Sequence, residues 1–358
     1  MPRRNEARKP RVRWDQSIGE NPRTVLCYVD DTDPGIARQR IGDAWAYFDN
    51  RGRRITRRQE IDRLNAIALP PAYSDAWFCK SAKGHIQAVG WDEKGRKQYR
   101  YHTDFRAAQD AAKYDRCVDF GRALPAIRAK VEADLCRRTL DRDRVVAAVI
   151  RLLDIGHVRV GNESYAKANR SFGATTLRRR HAEVKGDRVR LEYRAKSGKI
   201  QRLTINDGRL SRIVRRCQDL SGQHLFQYLD ADGVARPVTS SDVNDYLRDA
   251  TGGDFTAKHF RTWGASVIAF AALIAADGTI SIKGMMEPVA QALGNTPAIA
   301  RKSYVHPALI ELAGNRTASP LVGLNLPRRT KYLSSAERGL IAFLDELAQR
   351  TESEPKAA

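Results

Sequence analysis

The sequence predicts an α+β protein in two domains, a small β-rich one followed by a larger, mainly α-helical one that carries a β-hairpin. Three observations lead there. Between residues 24 and 102, short apolar runs of strand length are cut by turn signals. From residue 105 onward, apolar residues recur at three- and four-residue spacing. At 358 residues the chain is long enough for two cores.

In the first domain, residues 25–29, 44–48, 76–79 and 86–91 fit strands, and turns follow at Asp49-Asn50-Arg51-Gly52 and Asp92-Glu93-Lys94-Gly95. One helix is expected over 57–68, ended by Pro70-Pro71. The last hairpin arm, 95–102, alternates cations with aromatics, so a strand puts Lys97, Tyr99 and Tyr101 on one face. Such a face suits a phosphate backbone, and equally serves as a cationic edge that resists sheet aggregation. Residues 1–23 are rich in arginine and poor in apolar residues, a basic flexible arm or a solvated tail. The first domain is therefore placed at 24–104.

The second domain is placed at 105–350. Helices are expected over 107–124, 126–140 and 143–155. Val189, Leu191 and Tyr193 then alternate with charged residues, the chain turns at Ser197-Gly198, and Ile200, Leu203 and Ile205 return, which is a β-hairpin with Lys196 at its tip. A lysine on a turn is by default a solvated charge. Helices follow over 211–220 and, capped by Ser240 or Ser241, over 242–249. Thr256 opens another in which Phe260, Gly264, Val267, Ile268 and Ala271 share a face. Phe260 and Trp263 read as core, and Arg261 beside that face needs an anionic partner. Helices over 288–293 and 297–304 come next, the latter begun by Thr296 as cap and Pro297 as first residue. Residues 307–313 look helical, 314–333 read as a connection, and Ser334 with Glu337 makes a capping box for a last helix carrying Leu340, Ile341, Phe343, Leu344 and Leu347. Residues 351–358 are read as a disordered tail.

The charge limits the partners. Sixty-three Lys and Arg face forty-two acids, for a formal charge of +21, which favours a polyanion: nucleic acid first, an anionic membrane second. No window reaches the length of a membrane span, and no hydrophobic signal-like segment stands among the first residues. Cys27, Cys79, Cys117, Cys136 and Cys217 are scattered and lack CxxC spacing, so a reducing cytoplasm is expected rather than zinc or disulfides. A GxxxxGK[ST] phosphate loop is missing, which argues against an ATP-driven motor. Asp30, Asp31 and Asp33 precede Pro34-Gly35 and read as a turn rather than a magnesium site.

Tyr304 lies at a helix end beside Arg301 and Lys302. About one free phenol in a thousand is ionised at neutral pH, so attack on a phosphodiester needs cations nearby and a proton acceptor. The alternative is a tyrosine packed by its ring. Arg159, Lys196, Arg261 and Tyr304, in that order, are the parts that a metal-free phosphoryl transfer needs.

With those residues in view the chain resembles the type IB DNA topoisomerases of the small bacterial and poxvirus-like kind. Arg159 followed by Gly173-Ala174-Thr175-Thr176-Leu177 is similar to the family's first arginine and the segment after it. Tyr193-Arg194-Ala195-Lys196 resembles its hairpin lysine, Lys258-His259-Phe260-Arg261-Thr262-Trp263-Gly264 its second arginine motif, and Gly294-Asn295-Thr296-Pro297 through Ser303-Tyr304 its nucleophile segment. In the first domain the likeness runs through Pro70-Pro71-Ala72-Tyr73, 84–90 and 95–101, so that it covers nearly everything between 24 and 348.

The resemblance implies the fold of tyrosine recombinases and type IB topoisomerases, with residues 24–104 as a DNA-clamp domain. It implies a monomer closing around double-stranded DNA in the cytoplasm, at the nucleoid. Tyr304 would form a 3′-phosphotyrosine, Lys196 would protonate the departing 5′-oxygen, and Arg159 and Arg261 would stabilise the non-bridging oxygens; neither ATP nor a metal is implied. Tyr99, Tyr101, Tyr165 and Lys258, with Arg96 and Lys97, are carried over as DNA contacts. Asn295 departs from the pattern, since many members have His there; an amide donates a hydrogen bond without titrating. Two rivals stand beside this reading. A tyrosine recombinase usually has His where this chain has Lys258 and a helical first domain, and a non-catalytic basic DNA-binding protein accounts for the charge alone.

Overall fold

A computed structural model of the chain describes residues 26–93, 95–277, 279–314 and 324–353. The basic arm at 1–23, most of the tail at 351–358 and part of the 314–333 connection lie outside the described residues. The chain divides into two compact units, Met1–Lys113 and Tyr114–Ala358.

The first unit is built on an antiparallel sheet of β1 (Ile36–Ile41), β2 (Ala44–Phe48), β3 (Ser74–Phe78), β4 (Ile86–Trp91) and β5 (Lys97–Tyr101), in the order β2-β1-β3-β4-β5. Helix α1 (Arg58–Ala66) buries Leu64 in the same core as Ile36, Tyr47, Leu69, Phe78 and Ala88. Strand β1 was not expected, because its sequence carries arginines where alternation calls for apolar residues. Arg38 takes such a place by other means: its guanidinium lies 4.1 Å from the Trp45 ring centroid and donates to the carbonyls of Leu69 and Pro70 at 2.8 and 2.9 Å. The strand expected at 25–29 amounts, among the described residues, to a single parallel bridge between Cys27 and Gly84. Asp30, Asp31 and Asp33 do form a turn, closed by Asp33 N–H to the Asp30 carbonyl at 3.0 Å.

Helix α2 (Thr103–Leu135) runs unbroken through Pro125, where two helices had been expected. An interior proline costs about 3 kcal/mol, and burying Phe120, Leu124, Ile127, Val131 and Leu135 at about 1.5–3 kcal/mol each outweighs it. Helix α3 (Arg142–Gly156) is capped by the Asp141 side chain and ends at His157 in the left-handed region. Then come α4 (Glu163–Asn169), the antiparallel sheet β6 (Ala182–Lys185), β7 (Arg188–Arg194) and β8 (Ile200–Asn206), α5 (Gly208–Asp219), and a small hairpin of β9 (Gln227–Leu229) and β10 (Ala235–Pro237).

The remaining helices are α6 (Ser240–Thr251), α7 (Ala257–Ala275), α8 (Ile282–Leu293), α9 (Pro297–Ser303), α10 (Pro307–Gly314) and α11 (Ser335–Ser353). The cap of α6 is Thr239 rather than a serine, paired with Asp242. Helix α8 begins before the expected 288 and carries Pro288 inside it, because Met285, Met286 and Val289 are all buried. Helix α7 packs against α3, α6, α8, α10 and α11, so its burial is far wider than one stripe: Arg261, Trp263, Ala265 and Phe270 are inside, while Ala271 is exposed. Ser334 and Glu337 cap α11 reciprocally, and that helix reaches Ser353, into the segment read as tail.

Candidate active site

Arg159 leaves α3 just past its left-handed cap, and the backbone on either side of it is pinned. Its carbonyl accepts from Ala174 N–H at 2.8 Å, and the Val160 carbonyl accepts from Thr175 N–H at 2.7 Å. The two segments pass this closely because Gly173 has no side chain: a Cβ there would sit 2.5 Å from the Arg159 carbonyl oxygen. Gly161, opposite it, has φ +101°.

Tyr304 arrives by the short helix foreseen from Thr296-Pro297. The Thr296 hydroxyl accepts from Ile299 N–H at 3.3 Å, and Tyr304 closes α9 as its C-cap, donating to the Ala300 carbonyl at 3.0 Å. Gly294 ends α8 with φ +62°, which turns Asn295 back so that its N–H reaches the Ala290 carbonyl at 3.0 Å. A Cβ at 294 would fall 2.1 Å from Gln201 Oε1, so the Gln201 side chain of β8 reaches to this turn.

These elements bring four of the expected residues together. Arg159 Nη2 donates to Asn295 Oδ1 at 3.0 Å and to Tyr304 Oη at 3.3 Å. Arg261, only 5% exposed, holds its guanidinium 4.8 Å from the Tyr304 ring centroid. The groups it meets are neutral helix-end carbonyls rather than the expected anion: Nη1 donates to the His157 carbonyl and Nη2 to the Leu293 carbonyl, at the negative ends of α3 and α8. Arg301 and Lys302 are exposed, so the cations against the phenol are Arg159 and Arg261 rather than its sequence neighbours.

Two donors in this cluster have no hydrogen-bond partner among the described residues although they are buried, Asn295 Nδ2 and Arg261 Nε. Two phenols feel the same guanidiniums, with opposite results. Burial pushes Tyr193 up to about 12. Burial also pushes Tyr304 up, but Arg261 and then Arg159 outweigh it, and its pKa lies below the ordinary phenol value. Burial, and then the nearby Arg159, lower the pKa of Arg261. The arrangement is a phenol biased toward ionisation beside unsatisfied donors, as attack on an anionic centre requires.

The sequence matches the family described as eukaryotic DNA topoisomerase I, catalytic core, over residues 102–310. It also matches the bacterial DNA topoisomerase IB N-terminal domain over residues 44–92. A DNA topoisomerase 1B of Acanthamoeba polyphaga mimivirus is 32% identical over 297 residues, which span 78% of this chain and 88% of that protein. The chain belongs to the type IB DNA topoisomerase family. A vaccinia virus (strain Copenhagen) DNA topoisomerase 1B is 21% identical over 248 residues, 68% of this chain and 77% of its own. A Mycosarcoma maydis DNA topoisomerase 1 is 24% identical over 304 residues, 78% of this chain but only 28% of that protein. Recombinase and architectural readings give way to this match.

Most of the other residues singled out in this topoisomerase are exposed. Lys196 stands exposed on the turn between β7 and β8, followed by Ser197 at φ +64°. Lys258 is exposed in the first turn of α7 and Tyr165 on α4. Tyr99 and Tyr101, 40% and 47% exposed, stack with ring centroids 5.9 Å apart on β5. Lys97 lies 5.5 Å from the Tyr99 ring and is ion-paired with Asp31, while Arg96 pairs with Asp92 at 2.7 Å. His306 packs against Tyr114 with centroids 5.6 Å apart, and burial pushes its pKa down to about 4. Sequence reasoning missed Gln201 and Ser266, whose hydroxyl accepts from His306 N–H at 3.1 Å; neither carries a spacing signal. Among the described residues no group of three or more His, Cys, Asp or Glu is placed to hold a metal, and no helix is long and apolar enough to cross a membrane.

Proposed function

We propose that this enzyme relaxes positive and negative supercoils in double-stranded DNA through a transient single-strand break, with no ATP and no metal. Tyr304 Oη attacks a backbone phosphorus, the bond to the 5′-oxygen breaks, and a 3′-phosphotyrosyl link conserves the phosphodiester energy. The phenol proton passes to solvent, and Lys196, at the end of a hairpin whose Gln201 touches the nucleophile segment, supplies a proton to the departing 5′-oxygen. Arg159, Arg261 and Asn295 stabilise the non-bridging oxygens as charge accumulates. After strand rotation the 5′-hydroxyl attacks the phosphotyrosine and restores the strand.

The observation that carries this reading is the unsatisfied Asn295 Nδ2, buried next to a phenol whose pKa two arginines lower. A buried donor without a partner costs about 1–3 kcal/mol, and a phosphate oxygen removes that cost. On the DNA side, Tyr99, Tyr101, Tyr165, Lys258, Arg96 and Lys97 contact the duplex, which the monomer encloses as a clamp at the nucleoid. The test is relaxation of supercoiled plasmid in EDTA without ATP, comparing wild type with Tyr304→Phe. Wild-type relaxation of both signs, lost in the variant, supports the proposal; relaxation by Tyr304→Phe, or by neither protein, defeats it.

A further inference from the structure

Three charges outside the cluster, Glu337 buried and Arg128 and Asp154 partly buried, have no part in the chemistry proposed above. Arg128 on α2 donates to Asp154 from Nε and Nη2, both at 2.8 Å, and to Glu337 from Nη2 at 2.8 Å and Nη1 at 3.1 Å. A further bond joins it to the Tyr332 carbonyl. The side chains of Asp154 and Glu337 are each 9% exposed. Taking three charges out of water is costly, and an apolar set of similar volume is often no less stable. Stability is therefore a weak reason for the cluster, and placement is a better one.

Its contacts converge on Arg261 from two sides. Glu337 Oε1 accepts from Trp263 Nε1 at 3.2 Å, which fixes α7 two residues beyond Arg261. Asp154 lies in the last turn of α3, three residues before His157, whose carbonyl accepts from Arg261 Nη1. The space between these supports has no slack. A Cβ on Gly264 would fall 2.5 Å from the His157 ring, and one on Gly121 would fall 2.4 Å from the Trp263 ring. A shift of the α3 end against α7 therefore passes directly to the carbonyl that aims the guanidinium.

We propose that Glu337, bridged by Arg128 to Asp154, is a positioning residue for Arg261, so that the C-terminal helix α11 sets the aim of the guanidinium on the scissile phosphate. This rests on the reading that Arg261 stabilises that phosphate. Glu337→Gln keeps the volume and the acceptor for Trp263 but removes one of the two carboxylate charges that hold Arg128. Misplacing a catalytic group by a fraction of an ångström to an ångström costs about ten- to a hundredfold in rate.

The experiment is a double-mutant cycle on the single-turnover cleavage rate of a duplex at saturating enzyme, with DNA affinity measured alongside. Glu337→Gln is expected to slow cleavage by about tenfold or more with affinity unchanged, and to have almost no further effect in an Arg261→Ala background. Trp263→Phe, which removes the indole N–H bond together with part of the ring packed over Gly121, should show a loss with the same dependence on Arg261, and serves if Glu337→Gln does not fold. An unchanged rate, or the same fold loss in both backgrounds, overturns the proposal. An Arg261→Ala enzyme that cleaves at the wild-type rate overturns the underlying reading of Arg261 and this inference with it.

Discussion

Replacing Asn295 with alanine removes one hydrogen bond and one unpaired donor. Oδ1 holds Arg159 Nη2 at 3.0 Å, and Nδ2 is buried with no partner. Because Nδ2 is unpaired in the free enzyme, a bond from it to a phosphate oxygen is gained only with substrate, and it strengthens as that oxygen takes on charge. One such donor is worth about 2.7–4 kcal/mol in the transition state, or about a hundred- to a thousandfold in rate. Folding stability responds differently. Loss of the bond to Arg159 costs about 1.5–3 kcal/mol and relief of the orphan donor returns about 1–3, so the two nearly cancel. Asn295→Ala should therefore cleave a duplex under single-turnover conditions about a hundredfold more slowly, with a thermal midpoint near that of the wild type. Asn295→His should retain much of the rate but add a titration to the pH profile, which the amide cannot show. A rate within threefold of wild type for the alanine variant, roughly 0.7 kcal/mol, would refute the donor role.

Three further outcomes follow from the same geometry. Lys196→Ala should lose about a hundred- to ten-thousandfold in cleavage, and a substrate with sulfur at the 5′-bridging position should recover most of it, since a thiolate leaves without a proton; an equal loss on both substrates would exclude the general-acid role. Gly173→Ala should lose about a hundredfold in cleavage with DNA affinity kept, because the added Cβ, 2.5 Å from the Arg159 carbonyl, must push that backbone by roughly an ångström. Cleavage should rise with pH through the ionisation of Tyr304, inflecting below the ordinary phenol value of about 10, and Arg159→Ala should move the inflection up because one of the two cations that lower it is gone. An inflection that stays in place would separate Arg159 from the nucleophile.

Much of the site was legible because chain-local rules position its pieces. Thr296-Pro297 announces the start of α9, and the period of that helix puts Tyr304 at its end. The alternation of Val189, Leu191 and Tyr193 sets the hairpin that carries Lys196. What lay beyond reach depends on packing between distant segments. Spacing alone offers only Arg301 and Lys302 beside Tyr304, whereas the guanidiniums against the phenol belong to Arg159 and Arg261, distant in sequence and named there through the family resemblance. Arg261 was expected to need an anionic partner, and within the protein it donates to the carbonyl ends of two helices, partners with no residue-type signature. In the fold, β1 breaks the expected alternation because Arg38 is partly buried through cation–π and carbonyl contacts, and α2 continues through Pro125 because the apolar surface that outweighs a proline is supplied by the tertiary core.

The central claim is that Tyr304 is the nucleophile and takes the 3′ side of the break. The most direct measurement traps the reaction on a duplex whose downstream strand is lost after cleavage, then maps the adduct by peptide mass and end-labels the released strand. The account predicts a nucleotide joined through its 3′-phosphate to the peptide containing Tyr304, a free 5′-hydroxyl on the other end, and no adduct with Tyr304→Phe. An adduct that persists in that variant, or one linked through a 5′-phosphate, would contradict it.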